Sequence, residues 1–337
     1  MTQKPKYVVL GGGTGSFPVL SGLKAHPVSI TALVSMADDG GSTGALRDEL
    51  GVLPPGDVRQ CLLALSSAPG HMRELFNYRF EDGTLAGHSF GNLFLSALEK
   101  TTGNFGEAVR VSGELLRIRG RVLPITLDDV HLCLQLRDHT VLRGQRAIDD
   151  SSFCEDSPRP KLYLEPKGRI DAQADEALRD ADVIIIAPGD IYTSLAPLLI
   201  VDGVAEALAA SKATVVYVCN LVVKPGHTTG LTVAGHAAEI ERLAGGGPII
   251  DYVLYNTAEP PAALIEKYNK AGELMVTVDQ AELSRAHYRS VGRSLVADSL
   301  PDVQKGDKLA EAGHRSFIRH NATAVAEAIL DLPNPQQ

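Results

Sequence analysis

Short apolar runs alternate with amphipathic stretches along most of the chain. Residues 7–10 are uniformly apolar, the run Gly11-Gly12-Gly13-Thr14-Gly15-Ser16 follows, and Val19, Leu20 and Leu23 then fall on one face at helical spacing. That pattern predicts a strand, a glycine turn and a helix. Residues 29–35 predict a second strand, running into the polar, glycine-rich segment Met36-Ala37-Asp38-Asp39-Gly40-Gly41-Ser42-Thr43-Gly44. Pro54-Pro55-Gly56 supplies a turn, after which Val58, Cys61, Leu62 and Leu65 define a helical face over 57–67. From 71 to 116 the pattern is helical, broken at 81–84 and 101–104, with Phe90, Leu93, Phe94 and Ala97 on one buried face. Residues 121–167 are rich in β-branched side chains and short turns, and predict an irregular β-containing insertion.

The strand and helix alternation then resumes. Helices are predicted at 171–179, 195–209, 231–243, 262–268 and 324–330, and strands at 183–187, 214–219 and 252–255. The segment Pro188-Gly189-Asp190-Ile191-Tyr192-Thr193-Ser194 is a second polar loop at a strand end. Such alternation predicts an α/β protein with a mostly parallel sheet covered by helices on both faces. Its core comprises 1–120 and 168–330, the insertion 121–167, and a flexible tail 331–337. Ligands of open α/β sheets collect at the carboxyl ends of the strands, where both glycine-rich loops fall.

Composition narrows the function classes. With 337 residues, 44% hydrophobic and 22% charged, the chain can bury a large core and is neither disordered nor disulfide-stapled. A formal net charge of −9 argues against a nucleic-acid groove, although a local basic pocket stays open. Cys61, Cys133, Cys154 and Cys219 have no paired spacing, which fits reduced thiols and a cytoplasmic location. The first residues lack the apolar core of a secretory signal, and the apolar runs are far shorter than the roughly 20 residues of a spanning helix, so no membrane insertion is expected.

The candidate chemistry centres on glycines and acids. Gly11-Gly12-Gly13-Thr14-Gly15 allows backbone N–H groups to approach phosphate oxygens at a helix start. It matches neither Gly-x-Gly-x-x-Gly, since Ser16 takes the last position, nor the Gly-Lys-Ser/Thr ending of an ATP-type loop. Asp38 and Asp39 either serve turn hydrogen bonds or hold a metal-bound phosphate, and Thr43, Arg47 and Arg59 add donors nearby. Asn92, in His88-Ser89-Phe90-Gly91-Asn92, is placed to bond an adjacent loop or a ligand. No histidine lies at metal-ligand spacing from His88, and Ser194 is not in a Gly-x-Ser-x-Gly elbow.

Taken in order, these segments and Leu53-Pro54-Pro55-Gly56-Asp57-Val58-Arg59 resemble the bacterial gluconeogenesis factor family, also described as morphogenesis factors. It lies within the 2-phospho-L-lactate transferase (CofD-like) superfamily, and the resemblance covers about residues 6–330. The resemblance implies a Rossmann-like fold, a homodimer, and a regulator of gluconeogenic growth, cell shape and cell-wall precursor metabolism. The implied ligand is a UDP-sugar, UDP-N-acetylglucosamine or UDP-glucose, and a protein partner in carbon or envelope regulation is implied as well. By resemblance, Gly12, Gly13 and Thr14 face phosphate, Asn92, Gly189 and Asn220 line the cleft, and Tyr268 and Arg319 serve UDP-sugar binding. Asp38 and Asp39 resemble the acidic pair of the transferase's Mg²⁺ site, which keeps a Mg²⁺-dependent nucleotide or phospholactyl transferase as the alternative.

The chain departs from that family pattern in three places. Asp190 stands where the loop Ala-Pro-Gly-Ser-Leu-Tyr-Thr-Ser has serine. Residues 220–230, with Lys224 and His227, replace the usual Thr-Gln-Pro-Gly-Glu-Thr form, and Asn321 takes the place of Asp.

Overall fold

The computed structural model describes residues 4–155, 158–260, 262, 265–266, 273–297 and 318–333. Its main sheet holds seven strands in the order β10-β9-β8-β7-β1-β2-β3. They are β1 (Lys6–Leu10), β2 (Ser29–Val34), β3 (Arg121–Pro124), β7 (Val183–Ile186), β8 (Thr214–Val218), β9 (Tyr252–Asn256) and β10 (Arg289–Arg293). Every neighbouring pair is parallel. Both faces are covered, so central strands such as Val183–Ile186 and Thr214–Val218 are apolar throughout instead of alternating.

Along β1, successive side chains enter opposite layers. Tyr7 and Val9 join the core under α1 (Gly13–Leu23), α3 (Gly56–Leu65) and the C-terminal helix Ala322–Leu330. Val8 and Leu10 join the core formed with the helices Ala172–Arg179, Val204–Ala210 and Val233–Leu243. The chain leaves β1 toward β2 on one side and reaches β7 on the other, so strand order reverses between β1 and β7. That reversal opens a crevice at the carboxyl ends of these two strands.

The insertion is a second, antiparallel sheet in which β4 (His131–Gln135) lies between β5 (Val141–Arg143) and β6 (Lys161–Glu165). Its Leu132, Leu134, Leu162 and Leu164 belong to the larger core, so it is fastened to the main body. Its start lies later than the 121 boundary predicted from pattern, because residues 121–124 form β3 and pair with β2.

Three other predicted bounds change. Residues 41–44 open a helix, α2 (Gly41–Leu50), whose buried Leu46 and Arg47 supply an inner face that glycine content obscured. The helix predicted at 195–209 is a π-helical turn, Ile191–Leu195, then the short helices Ala196–Leu199 and Val204–Ala210. β10, with the polar sequence Arg-Ser-Val-Gly-Arg, is a half-exposed edge strand that hydropathy does not mark. The helix predicted at 262–268, Tyr268 included, and residues 334–337 of the tail lie largely outside the described residues.

Candidate functional site at the sheet crossover

The crevice between β1 and β7 is built from two loops that touch. A Cβ on Gly15 would collide with the carbonyl of Pro188, so only glycine lets the first turn of α1 pack against the loop after β7. α1 begins at Gly13 with Gly12 as its N-cap, which offers no side chain to bond the first N–H groups, and no acidic residue lies in its first turn. Those N–H groups carry the positive end of the helix dipole, and the Asp57 carboxylate lies beside Gly12 and Gly13 there. Gly12, Gly13 and Thr14 lie at this helix start, beside the loop after β7.

Gly189 and Asn220 are brought together. The Gly189 N–H donates to Asn220 Oδ1 at 3.0 Å, and Asn220 Nδ2 donates back to the Gly189 carbonyl at 2.7 Å. This reciprocal clasp fixes the ends of β7 and β8 around the crevice. Next to it, His320 Nε2 lies 3.1 Å from the Cys219 carbonyl, and the Arg319 carbonyl accepts from Ala297 N at 2.8 Å. Half-buried Arg319 is thereby held in the segment beside Asn220. Asn321 caps the last helix by accepting from Ala324 N at 3.0 Å, which Asp would do equally well.

The acids separate. Asp38 accepts from Gly40 N at 2.9 Å and lies against Thr43 and Asp57. Burial, then the Asp57 charge, push the Asp38 carboxyl up to about 7. Asp39 turns to the insertion, accepting from Gln145 N at 3.0 Å and Arg146 N at 3.1 Å. Asp57, in the first turn of α3, is a site residue that sequence reading did not single out. A Cβ on Gly12 would lie 2.8 Å from its Oδ2, and 3.5 Å from the Ser194 Cβ, so both side chains border the glycine turn. The only local signal for Asp57 is its place in the Pro-Pro-Gly-Asp turn.

Asn92 is buried and bonds side chains of α2 and α3. Its Oδ1 accepts from Arg59 Nε at 2.8 Å, and its Nδ2 donates to Ser42 Oγ at 3.2 Å, which in turn lies 3.0 Å from His88 Nδ1. Arg59 also donates to Asn77 at 2.8 Å. Arg47, equally buried, donates to the Val130 carbonyl at 2.6 Å and pairs with Asp129. Both arginines thus brace the walls of the crevice.

Asp190 and the altered 220–230 segment are partners. Asp190 Oδ1 accepts from Tyr192 N at 3.1 Å and caps the π turn, while its Oδ2 meets Lys224 Nζ. Lys224 also pairs with Asp149 of the insertion. Burial alone would raise the Asp190 carboxyl, but neighbouring His227 and Lys224 outweigh it and hold the group well below the usual carboxylate range. The negative side chain next to Gly189 is therefore locally neutralised.

Comparison with known proteins agrees with this architecture. Residues 7–296 match the family described as 2-phospho-L-lactate transferase CofD. The chain is 37% identical to the gluconeogenesis factor of Bacillus subtilis, with 98% of this chain and 99% of that protein aligned. It is 38% identical to the gluconeogenesis factor of Halalkalibacterium halodurans, with 98% and 97% aligned. A crystal structure of a UPF0052 family member from Bacillus halodurans superposes with a TM-score of 0.86 at 37% identity, covering 98% of this chain and 100% of that one.

Proposed function

Since the chain belongs to the CofD family, alongside proteins named gluconeogenesis factors, we propose that it is a cytoplasmic UDP-sugar-binding regulator of gluconeogenic growth and cell-wall precursor use. One observation carries this reading: the glycine start of α1 and the Gly189–Asn220 clasp converge at the strand-order reversal. The diphosphate would rest on the N–H groups of Gly13, Thr14 and Gly15. Arg319 would add its planar fork from the segment beside Asn220. Among the described residues no helix is long and apolar enough to cross a membrane.

Isothermal titration with UDP-N-acetylglucosamine, UDP-glucose and GDP, each with and without Mg²⁺, tests the reading. A saturable, Mg²⁺-independent preference for a UDP-sugar is expected. Arg319→Ala should weaken it roughly tenfold, on the order of one charge-assisted contact, with an unchanged melting temperature. No UDP-sugar binding would overturn the proposal.

The Asp38–Asp57 pair favours a second reading, a nucleotide-dependent transferase. Two carboxylates crowded enough to keep a proton on Asp38 near neutrality fit a divalent cation, with Asp57 in the position beside Asp38 that chain order assigns to Asp39. When bound, Mg²⁺ would neutralise charge on an activated phosphoryl donor. The chain's own share would be to hold the ion through Asp38 and Asp57 and to orient the donor by the glycine turn. GDP binding that requires Mg²⁺ is the result that would favour this reading.

A further inference from the structure

A separate polar cluster lies where the insertion meets the loop after β8. Asp149 ends the short helix Gln145–Asp149, Asp190 opens the π turn, and His227 follows Gly226. One ligand atom from each lies within 4.8 Å of the others, a grouping of three found only here among the described residues. Bonds of about 2.0–2.2 Å place the ligands of a tetrahedral ion about 3.4 Å apart, so the side chains would draw inward, by up to about 1.4 Å, to hold one.

The histidine is what distinguishes this cluster from an ordinary acidic patch. His227 is fully buried, and its Nε2 lies 3.0 Å from the Ile148 carbonyl and 3.2 Å from the Ser151 carbonyl. Carbonyls only accept, so Nε2 carries a hydrogen and Nδ1 is the ring nitrogen left to face the carboxylates. Nδ1 has no hydrogen-bond partner and faces Asp190 Oδ2 at 3.9 Å, too far for a shared proton. Metal-binding imidazoles are oriented in this way, by a carbonyl on the far ring nitrogen. Phe153 fixes the ring plane, stacking at 4.5 Å between centroids, and its N–H bonds the Gly226 carbonyl at 2.8 Å. A buried nitrogen and a carboxylate facing one another hold either a proton on Nδ1 or a metal cation in its place. Lys224 supplies one charge to the two carboxylates and leaves the imidazole unused.

We propose that Asp149, Asp190 and His227 form a binding site for a first-row transition-metal dication of the Zn²⁺ type, with Lys224 as the built-in cation that the metal displaces. One imidazole with two carboxylates suits such an ion, whereas Mg²⁺ prefers oxygen ligands alone. The site shares no residue with the Asp38–Asp57 pair and does not depend on the nucleotide reading. Metal bound there would tie the insertion to the loop that carries Gly189, stiffening one wall of the crevice.

The test uses the untagged full chain, stripped with chelator and titrated at pH 7.5 with Zn²⁺ by calorimetry and with Co²⁺ by visible absorption. One Zn²⁺ per chain is expected, weakened at least roughly tenfold by His227→Gln and unaffected by Asp38→Asn. Lys224→Met, which removes the competing ammonium, should tighten binding by about the same factor. The visible bands of Co²⁺ should change in His227→Gln, which loss of folding alone, monitored by melting temperature, does not explain. Absence of stoichiometric Zn²⁺ binding in the wild-type chain, or binding that His227→Gln leaves intact, would overturn the proposal. Should Lys224→Met not fold, the comparison of wild type with His227→Gln decides.

Discussion

Asp38 and Asp57 repel one another at the mouth of the glycine turn. A carboxyl raised to about 7 in the folded chain, against about 3.8 when unfolded, binds more protons folded than unfolded between those values. Its ionisation therefore subtracts stability as pH rises through that window, and the loss is complete above about 7. Asp38→Asn, which keeps an acceptor for Gly40 N, should stabilise the protein on the order of 2 kcal/mol at pH 8, with the gain vanishing towards pH 4. Denaturant titrations at the two pH values check this, and an equal effect at both would refute the coupling. Asp190 illustrates the opposite case. Its carboxylate is buried as well, yet Lys224 and His227 stand beside it as compensating partners.

At the scale of elements, the insertion is held by a few specific contacts as well as by its apolar face. The five-residue helix Gln145–Asp149 is too short to persist alone, and Asp39 satisfies its first two N–H groups from outside the insertion. Arg47 adds a second tie through Asp129 and the Val130 carbonyl. Asp39→Ala should cost about 1 kcal/mol, the usual worth of a cap, concentrated in this region. Hydrogen exchange should quicken at 144–153 while the amides of β7 and β8 keep their protection. Uniform quickening across the main sheet would show that Asp39 supports the whole fold instead.

For the molecule as a whole, acid sensitivity follows from a buried histidine at the junction of β8 and the C-terminal segment. Burial lowers His320 to about 4, only partly opposed by its bond to the Cys219 carbonyl. The unfolded chain then takes up a proton near the ordinary value of 6.5 that the folded chain refuses until about 4. Stability is thus fully present above 6.5 and falls as pH drops to 4, by at most about 1.4 kcal/mol per pH unit from this group. Melting temperatures measured from pH 7 to 4.5 should decline, and His320→Gln should flatten that decline. An unchanged slope in the variant would assign the acid loss to other groups.

Local pattern along the chain suffices for apolar runs of strand length, helical faces, and glycine turns at strand ends. These features established an α/β protein with a parallel sheet and marked the glycine turn of Gly12 and Gly13, because hydropathy period and turn chemistry act within a few residues; Gly189 and Asn220 entered through the family resemblance. Only the tertiary structure decided which side chains meet. It paired Asp38 with Asp57 and sent Asp39 to cap a helix more than a hundred residues away. It also moved residues 121–124 into the main sheet and gathered Asp149, Asp190, Lys224 and His227 around one point. Charge and hydrogen-bond partners of this kind are selected by proximity in space, which strand order at the crossover creates and chain order does not record.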